Sequence, residues 1–237
     1  MTEFVDRNRF VLLCMVALGL VAAAVVMSQA GAGTASTRPP ARPVIDDEVI
    51  LPTRVDAAIG RSLSALDRAE ARVDDQQYGS AAASLAAIGT NIGRAHRAAR
   101  AQMRLPVDPE AEATPGPDSV IAVLGVEQWA ITRLAGLYDT VTDPVVLNRI
   151  GGAINTALTN RNRLLSAVIR LNPAGKGAAY ADGMADTVDG YADEVANLTE
   201  ALRVDLLTAS ARAALTNALS RSQAATAKVT AAFGGGE

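Results

Sequence analysis

Residues 178–203 read AAYADGMADTVDGYADEVANLTEALR, and their pattern decides the fold class of the chain. Large apolar side chains recur every three or four residues, which places them on one face of an α-helix. They are Tyr180, Met184, Val188, Tyr191, Val195, Leu198 and Leu202. A strand would instead alternate apolar and polar residues with a period of two. The segment therefore predicts a long amphipathic helix.

The same spacing recurs along the chain from Thr53 onward and predicts five further helices. Asp143 followed by Pro144 is typical of a helix start, and Ser80 and Asp118 are further candidate N-caps. The predicted helices cover residues 53–77, 80–104, 118–141, 144–171, 178–203 and 209–233. Short connections favour antiparallel neighbours. The sequence thus predicts an all-α domain over residues 53–233, with about six antiparallel amphipathic helices in an up-down bundle or a helical hairpin array.

A hydrophobic segment precedes this domain. Residues 10–27 are 18 residues without a charge, and as a helix they span about 27 Å, close to the hydrocarbon thickness of a bilayer. Arg7 and Arg9 come just before the segment, and no basic residue follows it until Arg38. This asymmetry favours a cytoplasmic N-terminus and an exported remainder. We therefore expect a short cytoplasmic tail at residues 1–9 and a single-pass anchor in the cell membrane.

The alternative for the hydrophobic segment is a cleaved signal. Cleavage after Ala30 or Ala32 would satisfy the small-residue rule and release a soluble, secreted protein. Residues 28–52 are rich in Pro, Gly, Ala and Thr and predict a linker. Within them, residues 44–51 either dock onto the domain or form a partner-binding peptide. Residues 234–237 predict a flexible tail.

The composition excludes several function classes. Of 237 residues, 49% are hydrophobic and 3% aromatic, and the net charge is −3. These values argue against disorder and against nucleic-acid binding. The single cysteine, Cys14, lies inside the hydrophobic segment, so the exported part has no disulfide. We expect no nucleic-acid partner and no cofactor.

Catalytic and metal-binding patterns are missing from the sequence. His96 is the only histidine, and no spacing proposes a nucleophile beside it or a group to orient it. It lies between the apolar stripe and the arginines of its predicted helix, which predicts an interfacial side chain. Scattered carboxylates do not make a zinc site. We therefore expect no catalytic, metal or cofactor residues, and an enzyme that uses carboxylates alone is the least favoured hypothesis.

Two predicted helices carry strongly charged faces opposite their apolar stripes. The candidate interaction face, here the arginine face, comprises Arg94, Arg97, Arg100 and Arg104. The candidate acidic face comprises Asp182, Asp186, Asp189, Asp193 and Glu200. Both faces should point outward. Each is either a solvated surface or a binding site for a partner of opposite charge.

One pair of charged residues falls on apolar stripes instead. Glu127 lies on the stripe of the helix predicted before residues 142–143, and Arg161 on the stripe of the helix after them. When these helices fold back on each other, the lean of the two side chains brings them to the same level. Burying either charge alone would be unfavourable. The sequence therefore predicts a structural ion pair between Glu127 and Arg161.

The favoured function is a non-enzymatic, membrane-anchored, extracytoplasmic helical module. It would mediate a protein–protein or cell-envelope interaction, with residues 10–27 in the membrane and an envelope or membrane protein as partner. A bundle that binds an apolar small molecule between its helices is the alternative. Self-association stays open.

Overall fold

Six α-helices and one 3₁₀ turn make up the described parts of the chain. The computed structural model describes residues 51–105, 115–171, 177–203 and 207–233, and these ranges contain no strand. The helices are α1 (Thr53–Asp74), α2 (Tyr78–Gln102), α3 (Pro115–Gly136), α4 (Pro144–Leu171), α5 (Gly177–Ala201) and α6 (Ala209–Phe233), with the 3₁₀ turn at Leu137–Asp139. The predicted all-α class is confirmed. The predicted N-tail, hydrophobic segment, cleavage sites and C-terminal tail, and the linker before Leu51, lie outside the described residues.

Helices α1 and α2 form a hairpin. Arg72 near the end of α1 donates from Nη1 to the carbonyl oxygen of Ser80 at the start of α2, at 2.9 Å. Further along, Asn91 of α2 donates to the carbonyl oxygen of Arg61 in α1, at 3.3 Å. The residue numbers rise on one helix as they fall on the other, so α1 and α2 are antiparallel.

Alternate helices are neighbours and run parallel. Gly89 and Gly93 of α2 lie against Thr156 and Asn160 of α4, so the numbers rise together on both helices. Gly151 of α4 lies against Ala214 of α6, and Ser166 of α4 lies near Lys228 of α6, so these two helices also run parallel. The helices α1, α2, α4 and α6 form one layer in that order, and α3 and α5 pack together across it. The architecture is thus a two-layer array of helical hairpins.

The helix starts follow from local chemistry. Asp143 caps α4 as predicted, because its Oδ1 accepts hydrogen bonds from the backbone N–H groups of Val145 and Val146, both at 2.9 Å. The predictions for Ser80 and Asp118 are wrong. Helix α2 begins at Tyr78, whose ring packs against the core. Helix α3 begins at Pro115, because proline needs no hydrogen-bond acceptor in the first turn.

The interior is filled mainly by alanine, valine, leucine and isoleucine, with three buried tyrosines, Tyr138, Tyr180 and Tyr191. Among the described helices, the stretch Pro115–Asp139 is long and apolar enough to cross a membrane. Most of its apolar window is buried against other helices, as expected for the core helix of a folded domain. The buried charged residues Glu127, Arg161 and Glu194 meet at one place in the interior, together with His96 and Ser222.

Candidate functional site

The centre of the bundle holds a charged side chain. Arg161 of α4 has no exposed surface, and its two terminal nitrogens bind the two carboxylate oxygens of Glu194 on α5. The Nη1–Oε1 distance is 2.9 Å and the Nη2–Oε2 distance is 2.7 Å. This paired geometry is the strongest form of an arginine–carboxylate contact.

Three more helices and an aromatic ring complete the arrangement. Glu127 of α3 places Oε1 3.5 Å from Arg161 Nε and Oε2 2.8 Å from His96 Nε2 on α2. Ser222 of α6 donates to Glu194 Oε1 at 2.6 Å. The Arg161 guanidinium lies 4.2 Å from the centre of the Tyr191 ring, a cation–π contact. We call His96, Glu127, Arg161, Tyr191, Glu194 and Ser222 the buried charge network.

Arg161 keeps its charge despite complete burial. Burial by itself lowers the pKa of Arg161, but the carboxylates of Glu194 and Glu127 raise it well above the ordinary value, so the guanidinium stays protonated. Burial also raises the pKa of Tyr191, which keeps its hydroxyl neutral.

The network suits a structural role better than a catalytic one. Arg161, Glu127 and Glu194 have no exposed surface and His96 is 3% exposed, so a substrate has no direct access to the charged atoms. The buried charge network forms only when side chains from five helices meet, namely α2, α3, α4, α5 and α6. A shift of any of these helices would leave a charge unpaired in the interior, which is strongly unfavourable.

The structure brings the predicted pair together and adds a stronger partner. Arg161 Nε faces Glu127 Oε1, and neither atom has a hydrogen-bond partner among the described residues. Sequence reasoning missed Glu194, which makes the two shorter contacts. The prediction for His96 needs correction, since the ring is buried and bound to Glu127 rather than interfacial.

A small shift of register on α5 explains why Glu194 was missed. The buried side chains of α5 include Tyr180, Met184, Thr187, Tyr191, Glu194, Leu198 and Ala201. Three residues of the predicted stripe, Val188, Val195 and Leu202, are only half-buried. The signal was present in the sequence, because Glu194 lies three residues after one buried residue and four before another.

The arginine face is divided among three grooves in the layer of α1, α2, α4 and α6. Arg94 lines a groove of about 830 Å³ between α1 and α2, together with Arg61 and Arg68. Arg97 lines a groove of about 590 Å³ between α2 and α4, together with Arg149. Arg104 is exposed just beyond the end of α2.

Arg100 lines the third groove, of about 610 Å³, between α2, α4 and α6. Its other basic residues are Arg163, Arg170, Arg221 and Lys228. The face predicted on a single helix is therefore one edge of a surface that extends over its neighbours.

Charge is segregated by helix. Helices α2, α4 and α6 contain no aspartate or glutamate, and we call these three adjacent helices the basic layer. Their basic residues are Arg94, Arg97, Arg100, Arg149, Arg161, Arg163, Arg170, Arg212, Arg221 and Lys228. Helix α5 shows the opposite bias, with several acidic residues and no lysine or arginine. All these basic side chains except Arg161 are exposed or half-buried.

The acidic face lies on α5 and is exposed at Asp186, Asp189, Asp193 and Glu200. The side chain of Asp182 lies outside the described part of the structure. Glu200 pairs with Arg203 at 2.9 Å. In the described ranges, no three histidine, cysteine, aspartate or glutamate side chains come together in a way that could hold a metal ion.

No protein-family model, curated protein or solved structure matches this chain.

Proposed function

We propose that this protein is a non-enzymatic, membrane-anchored, extracytoplasmic helical module that binds an acidic partner in the cell envelope through its basic layer. The observation that carries the proposal is the absence of any acidic residue from three adjacent helices that are lined with arginine. Guanidinium groups bind carboxylates through paired hydrogen bonds, which suits recognition of an acidic protein surface.

Repulsion between the like charges of the basic layer supports a binding role. Like charges held on one surface repel each other and lower the stability of the folded state. The ion pairs formed among the described residues use Arg133, Arg161, Arg203 and His96, and of these only Arg161 and His96 belong to the basic layer. The exposed arginines of the layer are thus available to a partner.

The grooves favour an anionic partner over an apolar ligand. Arginine, asparagine, serine and threonine contribute to their walls. The middle of the bundle is occupied by the buried charge network, where an apolar molecule would have to displace paired charges. The small-molecule alternative therefore has less support than the binding module.

The location in the membrane is part of the proposal and has its own test. We expect the full-length mass in carbonate-washed membranes of cells that express the chain, because residues 10–27 would remain as an anchor. A soluble species that begins after Ala30 or Ala32 would replace the anchored module with a secreted one.

The binding claim is tested with the full chain in phosphatidylcholine nanodiscs and detergent-solubilised envelope proteins. We expect an acidic protein to be retained at 50 mM NaCl and released at 500 mM, because salt screens exposed charges. The variant R94Q/R97Q should retain about tenfold less, the equivalent of 1.4 kcal/mol. The control R54Q/R203Q removes the same charge from outside the basic layer and should retain the wild-type amount. Equal retention by both variants would contradict the proposal.

A further inference from the structure

The groove between α2, α4 and α6 gathers more positive charge than the other two. Five basic side chains line it: Arg100, Arg163, Arg170, Arg221 and Lys228. Three polar side chains, Thr159, Asn162 and Ser166, lie among them. We call this surface the basic groove, and its volume is about 610 Å³.

Helix geometry explains why these side chains converge. On α4, Thr159, Arg163, Ser166 and Arg170 follow one another at intervals of four, three and four residues, so they share one face. On α6, Arg221 and Lys228 are seven residues, or two turns, apart. Since α4 and α6 run parallel, their basic residues line the two sides of one groove. Lys228 Nζ, 3.4 Å from Ser166 Oγ, connects the two sides.

The positive charge of the basic groove is uncompensated within the described parts of the chain. None of its five basic residues pairs with an aspartate or glutamate there. A surface with this much charge of one sign attracts anions and raises their local concentration. The groove therefore has the charge that an anion-binding site needs.

We propose that the basic groove binds a small anion that carries several phosphate charges. Its volume falls within the range of about 300–1,000 Å³ that is typical of small-molecule sites. Arginine forks match the geometry of phosphate oxygens, and the ammonium group of Lys228 adds further donors. The proposal extends the proposed function, because it uses the same basic layer and adds a second class of ligand beside an acidic protein.

The direct test is calorimetric titration of the full chain, in non-ionic detergent at 50 mM NaCl, with sodium triphosphate. We expect saturable binding at one site. The variant R163Q/R170Q should bind about tenfold more weakly or worse, because two charge-assisted contacts are lost. The control R149Q/R212Q changes the same two units of charge, on α4 and α6 outside the groove, and should bind within about twofold of wild type.

A stability measurement distinguishes a folded variant that has lost the site from a variant that has misfolded. Without ligand, R163Q/R170Q should melt at the wild-type temperature or above it, because the substitutions relieve repulsion. Triphosphate should raise the melting temperature of wild type and of R149Q/R212Q, but not that of R163Q/R170Q. A variant that melts like wild type and still gains stability from triphosphate would overturn the proposal.

Two control anions define the ligand class. Sulfate and citrate are titrated at matched ionic strength, and each should bind more weakly than triphosphate. Citrate that binds as tightly as triphosphate would overturn the assignment to phosphate. The absence of saturable triphosphate binding would overturn the site itself.

A second arm identifies the source of the phosphate. The full chain in phosphatidylcholine nanodiscs is mixed with vesicles of phosphatidylcholine that carry phosphatidic acid, whose headgroup is a phosphate monoester. Vesicle capture that triphosphate displaces supports the site with a lipid headgroup as ligand. Triphosphate binding without vesicle capture supports it with a soluble anion.

The outcomes also separate this inference from the proposed function. If R94Q/R97Q loses the acidic protein while triphosphate does not bind wild type, only the phosphate site fails. If triphosphate binds as expected and no acidic protein is retained, only the protein partner fails.

Discussion

Arg161 keeps a full positive charge at the centre of the bundle because two carboxylates reach it from two other helices. Glu194 provides paired contacts at 2.9 and 2.7 Å, and Glu127 provides one contact at 3.5 Å. The stripe position of Glu127 and Arg161 made their approach predictable from sequence. Glu194 was harder to find, because it follows Asp193 on a helix where Asp186, Asp189, Asp193 and Glu200 are exposed. The predicted apolar stripe of α5 passed through Val195, one residue after Glu194. A shift of that stripe by one residue decides whether Glu194 is predicted to be exposed or buried.

The unequal contacts of Arg161 predict unequal coupling energies. We expect R161M to lower the free energy of unfolding by about 3–5 kcal/mol, because two buried carboxylates lose their cation. Double-mutant cycles measured by urea unfolding should then give a larger coupling of Arg161 with Glu194 than with Glu127, since only Glu194 makes paired hydrogen bonds. An equal or larger coupling with Glu127 would show that the contacts to Glu194 are not the main ones.

Buried tyrosines predict a loss of stability in alkali. Burial raises the pKa of Tyr180 to about 12, with a further contribution from Asp118, and burial also raises the pKa of Tyr138 and of Tyr191. In the unfolded chain, the tyrosine hydroxyl has a pKa of about 10. The pKa of each buried tyrosine is higher in the folded state than in the unfolded state, so its neutral hydroxyl stabilises the folded state. This stabilisation is complete below about pH 10 and is lost as the pH rises toward 12.

The measurement is urea unfolding at pH 9 and pH 11, with tyrosinate absorbance recorded in parallel. We expect a lower free energy of unfolding at pH 11, and a smaller drop in Y180F because one buried hydroxyl is gone. If Tyr138, Tyr180 and Tyr191 all ionised near pH 10 with no loss of stability, burial would not control their titration.

At the scale of elements, small residues decide how closely helices approach. The buried positions of α6 are mostly small, with Ala211, Ala218, Ser222 and Ala225 facing inward, and this allows α6 to lie close to α4. The helix positions, and the start of α4 at Pro144 after the Asp143 cap, followed from periodicity and capping. The predicted caps Ser80 and Asp118 missed the starts of α2 and α3, because α2 begins at Tyr78, whose ring packs against the core, and α3 begins at Pro115.

Adjacent glycines on α4 provide a matched test of helix packing. A Cβ added to Gly151 would lie 2.9 Å from the Tyr138 hydroxyl and 3.0 Å from the Ala214 Cβ, whereas a Cβ on Gly152 would meet nothing within 4 Å. We expect G152A to stabilise the protein by about 0.5–1 kcal/mol through helix propensity. G151A should destabilise it by about 1–2 kcal/mol, because packed neighbours must move. Urea unfolding that ranks the two variants the other way would contradict the close approach of α4 and α6.

At the scale of the whole molecule, the distribution of charge follows from which helices are neighbours. The arginine face of α2 was visible in the sequence, but its continuation onto α4 and α6 was not. Short connections indicate that consecutive helices are antiparallel, and they do not indicate that α2 lies beside α4 or that α4 lies beside α6. The grooves lined by Arg97 and Arg100 depend on these two contacts, so only the three-dimensional structure reveals them.

Repulsion within the basic layer predicts a response to salt. We expect the melting temperature of ligand-free wild type to rise between 20 and 500 mM NaCl, because salt screens like charges. The quadruple variant R149Q/R163Q/R170Q/R212Q should respond less, since four of the repelling charges are removed. Thermal melts of both proteins, followed by circular dichroism, give the comparison. An identical salt response would show that the basic layer carries no significant repulsion.

The proposed function makes the basic layer the surface through which this protein binds in the envelope. The most direct measurement is photo-crosslinking in living cells from two exposed positions, Thr156 beside the groove of α2 and α4, and Ala192 on the acidic helix α5. We expect a photoreactive residue at position 156 to cross-link an acidic envelope protein, and the addition of R94Q/R97Q to weaken that product. Position 192 should not give the product. Cross-linking of the same protein from position 192 and not from position 156 would contradict the account.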